Sequence, residues 1–308
     1  MDLLGGMRLF IRVVETGGFS TVAREMASTQ PTVSRTVAAL EEHLGVRLLN
    51  RSSRAVTLTD DGRAFYAQAM RALEAVTEAE ASVGRRHGQP SGLLRLGTPV
   101  AFGRLHVAPR VAGFLARYPE VEVELSMTDA FVDPVSEGLD LVVRVGALED
   151  PSLIARRIGT TRRVTVASAD YLARRGVPLT PADLRQHDCI VYTRLATGNR
   201  WHFDGPDGPI AVAVQGRFRA DNSEAVREAV IAGAGVAVIP VWLFTDEITG
   251  GRVRIILDAF EPSTLPIHAV YPSRRLVSPK VRAMIEHLAA EFGASPLLSG
   301  APAATRLW

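Results

Sequence analysis

Leu3, Met7, Phe10 and Val14 recur at steps of four, three and four, the spacing of one helix face. Gly17-Gly18 stops that helix. Ser20 has the N-cap chemistry for a second short helix over about 21–26. Ala27-Ser28 then reads as a tight turn. A third helix opens near Thr29-Gln30, with Pro31 in its first turn where a missing N–H costs nothing. Val33, Val37, Leu40 and Leu44 form its inward face, and Gly45 ends it. From Val46 to Leu58 the pattern predicts two short strands with a turn at Ser52-Ser53.

Three short helices joined by tight turns are the helix-turn-helix plan. Its third helix is buried along one stripe, and the opposite face fits a major groove. Here that face and its first turn carry Gln30, Pro31, Thr32, Ser34 and Arg35, short or flexible groups suited to base edges and phosphates. Glu41 and Glu42 lie further along and are expected to point away from a polyanion. The hairpin reads as a wing with Arg51 and Arg54 near its tip. The alternative is a generic three-helix domain with a solvated polar face.

The stretches Phe19 to Met26, Thr29-Gln30-Pro31-Thr32-Val33-Ser34-Arg35, Leu40-Glu41, Leu44 to Arg51 and Thr57 to Gly62 together resemble the LysR-type transcriptional regulators. The resemblance is dense over residues 3–66. It departs mildly at Thr29, where the family usually has serine, and at Leu49, where it often has phenylalanine. It implies DNA binding, with Ser20, Thr29, Gln30, Pro31, Thr32, Ser34, Arg35, Arg51, Arg54 and Thr57 as the expected contact residues. Arg35→Ala is expected to cost about 1–3 kcal/mol of base discrimination if that side chain reads a base.

Beyond the wing, Phe65, Ala69, Ala72, Val76, Ala79 and Val83 recur at alternating steps of four and three. That is a heptad seam for two packed helices, expected to pair two copies of the chain. An ordinary amphipathic helix packed on its own domain is the alternative. Asp60-Asp61 in the first turn and Arg85-Arg86 in the last suit the helix dipole. The stretch from His87 to Gly92 reads as a flexible boundary.

From Leu93 onward short apolar runs alternate with helical stretches, which predicts α/β structure with parallel or mixed sheets. Strands are expected near 93–97, 121–127, 140–145, 163–167, 190–193, 236–239 and 267–271. Helices are expected near 102–118, with Pro109 a kink or restart, and near 169–175, 223–232 and 279–292. The phrases Leu96-Gly97-Thr98-Pro99, Phe114 to Pro119, Glu137 to Gly146 and Gly233 to Pro240 resemble the effector domain of the same family, which is similar to a small periplasmic binding protein.

The predicted fold is therefore α+β overall. A winged helix-turn-helix spans 1–58, a linker and dimerisation helix 59–88, and a two-lobed effector domain 92–293. Lobe I takes 92–162 and 267–293, lobe II takes 163–266, and 294–308, rich in Ala, Pro and Ser, reads as a loose tail.

A cleft between two such lobes, at strand C-termini, is where small ligands bind. Thr98, with the N–H groups after Pro99 and Val100, is expected to hold an anion at a helix start. Phe102, Thr128, Arg144, Gly146, Thr193, Asn222 and Ser223 are further candidates, with Trp201, His202 and Phe203 as a stacking wall. Thr98, Asn222 and Ser223 are equally good helix caps, Trp201 is more often a core residue than a ligand wall, and the alternative for Arg144 is a surface or hinge ion pair. Donors outnumber acceptors, so the expected ligand is a small organic acid.

Charge changes little of this picture. The net charge is +2, and residues 1–88 carry 11 basic and 10 acidic side chains, so a DNA surface must be a local arrangement of arginines. The single cysteine, Cys189, excludes an intrachain disulfide and fits a reducing compartment. The N-terminus lacks a secretory pattern and there is no apolar run of membrane length, so a cytoplasmic location is expected. No Gly-x-Ser-x-Gly elbow, phosphate-binding loop or metal-ligand spacing among the seven histidines is present, and neither catalysis, a cofactor nor a metal is expected. The expected partners are promoter double-stranded DNA, a small-molecule effector, a second copy in a homodimer, a homotetramer by resemblance, and RNA polymerase. The alternatives are a solute-binding protein and an enzyme with a dispersed active site.

Overall fold

The computed structural model describes residues 2–51, 56–83, 89–148, 154–195, 197–272 and 277–300. Contacts divide the chain into two units, Met1–Gln89 and Pro90–Trp308.

In the first unit, helix α1 (Leu3–Thr16) is capped by Asp2, whose side chain accepts from the Gly5 N–H at 2.9 Å, and ends on Gly17 at φ 72°. Its buried residues are Gly6, Phe10, Ile11 and Val13, and Leu3 is 37% exposed. The expected stripe is thus rotated. Gly6, which lies against Leu40, lets α1 approach the third helix closely, so the contact line runs through Gly6, Phe10 and Val13. Met7 and Val14 flank it half-buried.

Helix α2 (Phe19–Glu25) is capped by Gly18, and Ser20 lies inside its first turn. The expected Ser20 cap is corrected: the helix starts earlier because Phe19 joins Val22 and Ala23 in the core. Arg12 on α1 ties the two helices through Glu25 at 2.7 Å. Ala27 sits at φ 48°, a left-handed residue in the tight turn.

Helix α3 (Gln30–Leu44) is capped by the Thr29 side chain and closed by Gly45 at φ 71°. Strands β1 (Leu49–Arg51) and β2 (Val56–Leu58) pair antiparallel, with Asn50 opposite Thr57. Glu41 faces this hairpin, its Oε1 accepting from the Leu48 and Leu49 N–H groups at 2.8 and 3.0 Å. Helix α4 (Asp60–Val83) starts beneath β1. A Cβ on Gly62 would lie 2.0 Å from the Leu48 carbonyl oxygen, so only glycine fits.

In the second unit, one mixed five-stranded sheet has the order β4 (Val121–Met127), β3 (Gly92–Thr98), β5 (Leu141–Val145), β15 (Leu265–Tyr271), β6 (Ile154–Thr161). The β4, β3 and β5 strands run parallel, and β15 is antiparallel to both its neighbours. A second set of strands lies between β6 and β15 in the chain. It forms a sheet of β12 (Ala237–Pro240), β7 (Arg163–Ser168) and β13 (Val253–Ile256), and a sheet of β10 (Gly208–Ala213), β9 (Arg200–Gly205) and β14 (Glu261–Pro262). A parallel pair, β8 (Val191–Tyr192) and β11 (Arg219–Ala220), completes it. The chain therefore crosses between lobes twice, at 161–163 and at 262–265.

Helix α5 (Val100–Phe102) continues through a π turn, Gly103–Val107, into α6 (Ala108–Arg117). Pro109 marks the restart, because it cannot donate into the preceding turn. Helices α7 (Ala169–Arg175) and α8 (Ser223–Ile231) cover lobe II with the short α9 (Thr245–Thr249), and α10 (Pro279–Gly293) packs on the large sheet.

The tail expectation is corrected for residues 294–300. Leu298 is fully buried, its carbonyl accepts from the Thr160 N–H at 2.7 Å, and Ser299 bridges to Thr160. Its apolar side chain completes the cluster around Phe292 and Ile158. Residues 301–308 lie outside the described residues.

Candidate nucleic-acid interface and ligand cleft

On α3 the back is Val33, Val37 and Leu40, all essentially inaccessible. The opposite face leaves Gln30, Pro31, Thr32 and Arg35 exposed and Ser34 half-buried. The first turn is ordered by its own polar groups. The Thr29 and Thr32 hydroxyls lie 2.8 Å apart, and the Arg35 Nε donates to the Pro31 carbonyl at 3.3 Å. That bond fixes the base of the guanidinium while its outer N–H groups face solvent. Ser20 on α2 and Thr57 on β2 are exposed as well. Arg54 lies outside the described residues, and for Arg51 only the backbone position in β1 is described.

Along α4 the seam divides. The Phe65 ring is 5.7 Å from that of Phe10, and Ala69 is 1% exposed within the core of the same unit. Both face inward in their own chain, as the amphipathic alternative had it. Ala72 and Val76 are half-buried, and the side chains of Ala79 and Val83 lie outside the described residues.

In the second unit a cavity of about 400 Å³ opens where β3, β4 and β5 end and faces lobe II. Of the thirteen expected residues, Thr98, Pro99, Phe102, Thr128, Arg144, Gly146, Trp201, His202 and Ser223 line it. Val100, Thr193, Phe203 and Asn222 do not. Val100 and Asn222 are turned to a residue the sequence reading missed, Asp129. Its carboxylate accepts from the Val100 N–H at 3.0 Å and from the Asn222 Nδ2 at 2.6 Å. The expected anion at this helix start is thus the protein's own carboxylate, and the Thr98 hydroxyl donates to the Pro99 carbonyl at 2.9 Å. Asn222 also caps α8 through Ala225. With the Arg104–Glu224 ion pair at 2.7 Å it joins lobe I to lobe II. The Thr193 N–H is taken by the Ala220 carbonyl.

Trp201 is both core and wall, 3% exposed yet lining the cavity, whereas Phe203 is purely core. Arg144 donates to the Val132 carbonyl and lies 5.2 Å over the Phe131 ring. Burial lowers its basicity, and Asp133 partly offsets this.

The lining also includes Tyr192, Arg163, Arg194 and Trp242. Burial first, and the Asp129 charge second, push the Tyr192 phenol well above its ordinary pKa. Arg194 pairs with Asp221 at 3.1 Å. No local sequence signal marks these four, because residues some 30 to 110 positions from Asp129 meet only through the fold. Behind the wall, His106 packs against Phe102 and Trp242 at ring distances of 5.1 and 4.9 Å. Burial, helped by Arg110, lowers its pKa to about 4, so it is neutral at pH 7.

Among the described residues no group of three His, Cys, Asp or Glu is placed to hold a metal ion, and no helix is long and apolar enough to cross a membrane.

The model of the bacterial regulatory helix-turn-helix protein of the lysR family matches residues 4–63, and that of the LysR substrate binding domain matches residues 87–293. The HTH-type transcriptional activator AaeR of Escherichia coli is 33% identical over 293 residues, covering 95% of this chain and 94% of that protein. The HTH-type transcriptional regulator PtxR of Pseudomonas aeruginosa is 35% identical over the same length and shares. The solved structure of CrgA, a LysR-type transcriptional regulator from Neisseria meningitidis, is 30% identical with a TM-score of 0.59, covering 93% of this chain and 98% of that one.

Proposed function

The chain belongs to the LysR family of bacterial helix-turn-helix regulators, and from that premise we propose that it binds promoter DNA through α3 under the control of a small organic acid held in the lobe cleft. The observation that carries this reading is the two-faced third helix. Its apolar back is fully enclosed, while Gln30, Pro31, Thr32 and Arg35 are exposed on a rigid first turn. Rigid elements place side chains more accurately than loops, which base readout needs. Ser34, Ser20, Thr29 and Thr57, with Arg51 and Arg54 of the wing, supply the remaining contacts, chiefly to phosphates.

A second copy pairs along α4 through Ala72, Val76, Ala79 and Val83, and two such dimers form a tetramer. Cytoplasmic DNA, and RNA polymerase bound to it, are then its surroundings. The cleft supports the acid reading because its basic groups outnumber its carboxylates: Arg144, Arg163 and Arg194 against an Asp129 already held by two donors. Ligand acts by binding one lobe arrangement better than another, which shifts the spacing of paired reading heads.

Footprinting of the full chain on the DNA upstream of its own gene, at low salt, tests the reading. Protection of a site with two half-sites is expected. Absence of protection, with and without candidate acids, overturns it.

A further inference from the structure

We propose that the effector's anionic group is read by Arg163 at the hinge between the lobes, and that this residue makes the cleft selective for carboxylates over their neutral counterparts. The inference rests on the cleft being the effector site, as argued above.

Arg163 is the first residue of β7, immediately after the outgoing crossover. Its Nε donates to the Ser263 carbonyl on the returning crossover at 2.8 Å. The adjacent Arg162 pairs with Glu261 across the same two segments at 3.0 Å. Arg163 therefore sits where both chain crossings meet, and both Arg163 and Ser263 line the cavity.

Its electrostatic state is unlike that of the other two cleft arginines. Arg194 has Asp221 as counterion, and Arg144 has the Phe131 ring and the nearby Asp133 charge. Arg163 has no carboxylate partner among the described residues. Its one hydrogen bond among those residues uses Nε, which leaves the two terminal nitrogens, the pair that engages a carboxylate side by side. Burial is the sole cause that lowers its basicity, so the charge is desolvated without compensation. A half-buried cation without counterion is costly, and an arriving carboxylate removes that cost while adding two charge-assisted bonds. Because the base of the guanidinium already holds the returning crossover, an anion at its tip couples ligand binding to the relative setting of the two crossings. The surrounding wall of Phe102, Trp201 and Trp242 suits an aromatic or otherwise apolar body attached to that carboxylate.

The test uses full-length protein and tryptophan fluorescence, since Trp201 and Trp242 both line the cavity. Benzoate, phenylacetate and succinate are titrated to 10 mM beside benzamide, phenylacetamide and succinamide, on the parent, Arg163→Lys and Arg163→Gln. The expected result is saturable quenching of the parent by at least one acid and at least tenfold weaker quenching by its amide. Arg163→Gln should lose at least tenfold in affinity for that acid while its weak amide response stays the same, and Arg163→Lys should keep most of the acid response. A variant that simply misfolds loses acid and amide alike, and circular dichroism melting separates that case. In that case the Arg163→Lys arm decides: a lysine variant that prefers acid over amide supports the proposal, and one that does not overturns it. An acid that binds the parent and a folded Arg163→Gln equally overturns the role of Arg163 and leaves the organic-acid reading standing. A parent that answers to an amide but to no acid, or to none of the six probes, overturns both.

Discussion

The reading helix and the ligand cleft are built in opposite ways. The face of α3 comes from a single run of 15 residues, with caps, back and front all set within a few turns. The cleft brings together Thr98, Asp129, Arg163, Trp201 and Ser223, which are spread over more than a hundred positions and meet only after the chain crosses between lobes. A local site is stable with its own helix and changes little when its outer side chains change. An assembled site depends on how two lobes sit, and that dependence is what lets a ligand move them. The difference suits the proposed division of labour, in which a rigid reading head answers to a part assembled from two lobes.

Striking the local site from behind should separate the two regions. Leu40, fully buried against α1, is expected to cost about 2–5 kcal/mol when cut to alanine, through lost transfer energy and the cavity left. Thermal melting should show the N-terminal transition fall and DNA binding go with it. The acid-dependent tryptophan signal should persist, because the cleft draws on separate cores. Loss of both together would mean the two parts are not independent.

His106, behind the cleft wall, has a folded pKa of about 4 against an ordinary 6.5, so the unfolded chain binds its proton first. Stability from this group is present above about pH 6.5 and is lost as pH falls toward 4, by up to about 3 kcal/mol. Urea melts of parent and His106→Phe at pH 7 and pH 5 check this: the variant should lack that part of the acid slope, and equal slopes would contradict it.

The smallest effect returns to α3. Thr29→Ala removes the cap on the first turn and should cost about 1 kcal/mol of stability. Chemical denaturation monitored by helix signal measures it.

This contrast also explains what could be read from the chain. The stripe Val33, Val37, Leu40 and the stops at Gly17 and Gly45 were legible because helix periodicity and left-handed glycine are local properties. Most strands of lobe I were legible as apolar runs. Strand β6 was missed, since Arg156 and Arg157 interrupt its apolar pattern, and the β9–β10 hairpin was hidden by its Asp, Gly and Pro composition. Nine of the thirteen expected residues line the cleft, because strand ends and helix starts mark the edge of an α/β sheet. Asp129 was not, because what identifies it is Asn222 reaching across from the other lobe at 2.6 Å. Arg163 was legible only as the start of a strand; that it has no carboxylate partner among the described residues is a property of the folded chain. Likewise Phe65 and Ala69 fit a heptad seam equally well whether a second copy or α1 covers them, and α1 does.

The most direct test of the central claim is the binding of parent and Arg35→Ala to a fluorescent duplex from the gene's own upstream region, beside a scrambled duplex, at two salt concentrations. The variant is expected to melt like the parent and still bind the scrambled duplex equally, yet to lose about 1–3 kcal/mol of preference for the true site. Equal preference in both proteins, or no preference in the parent at either salt, would contradict that claim.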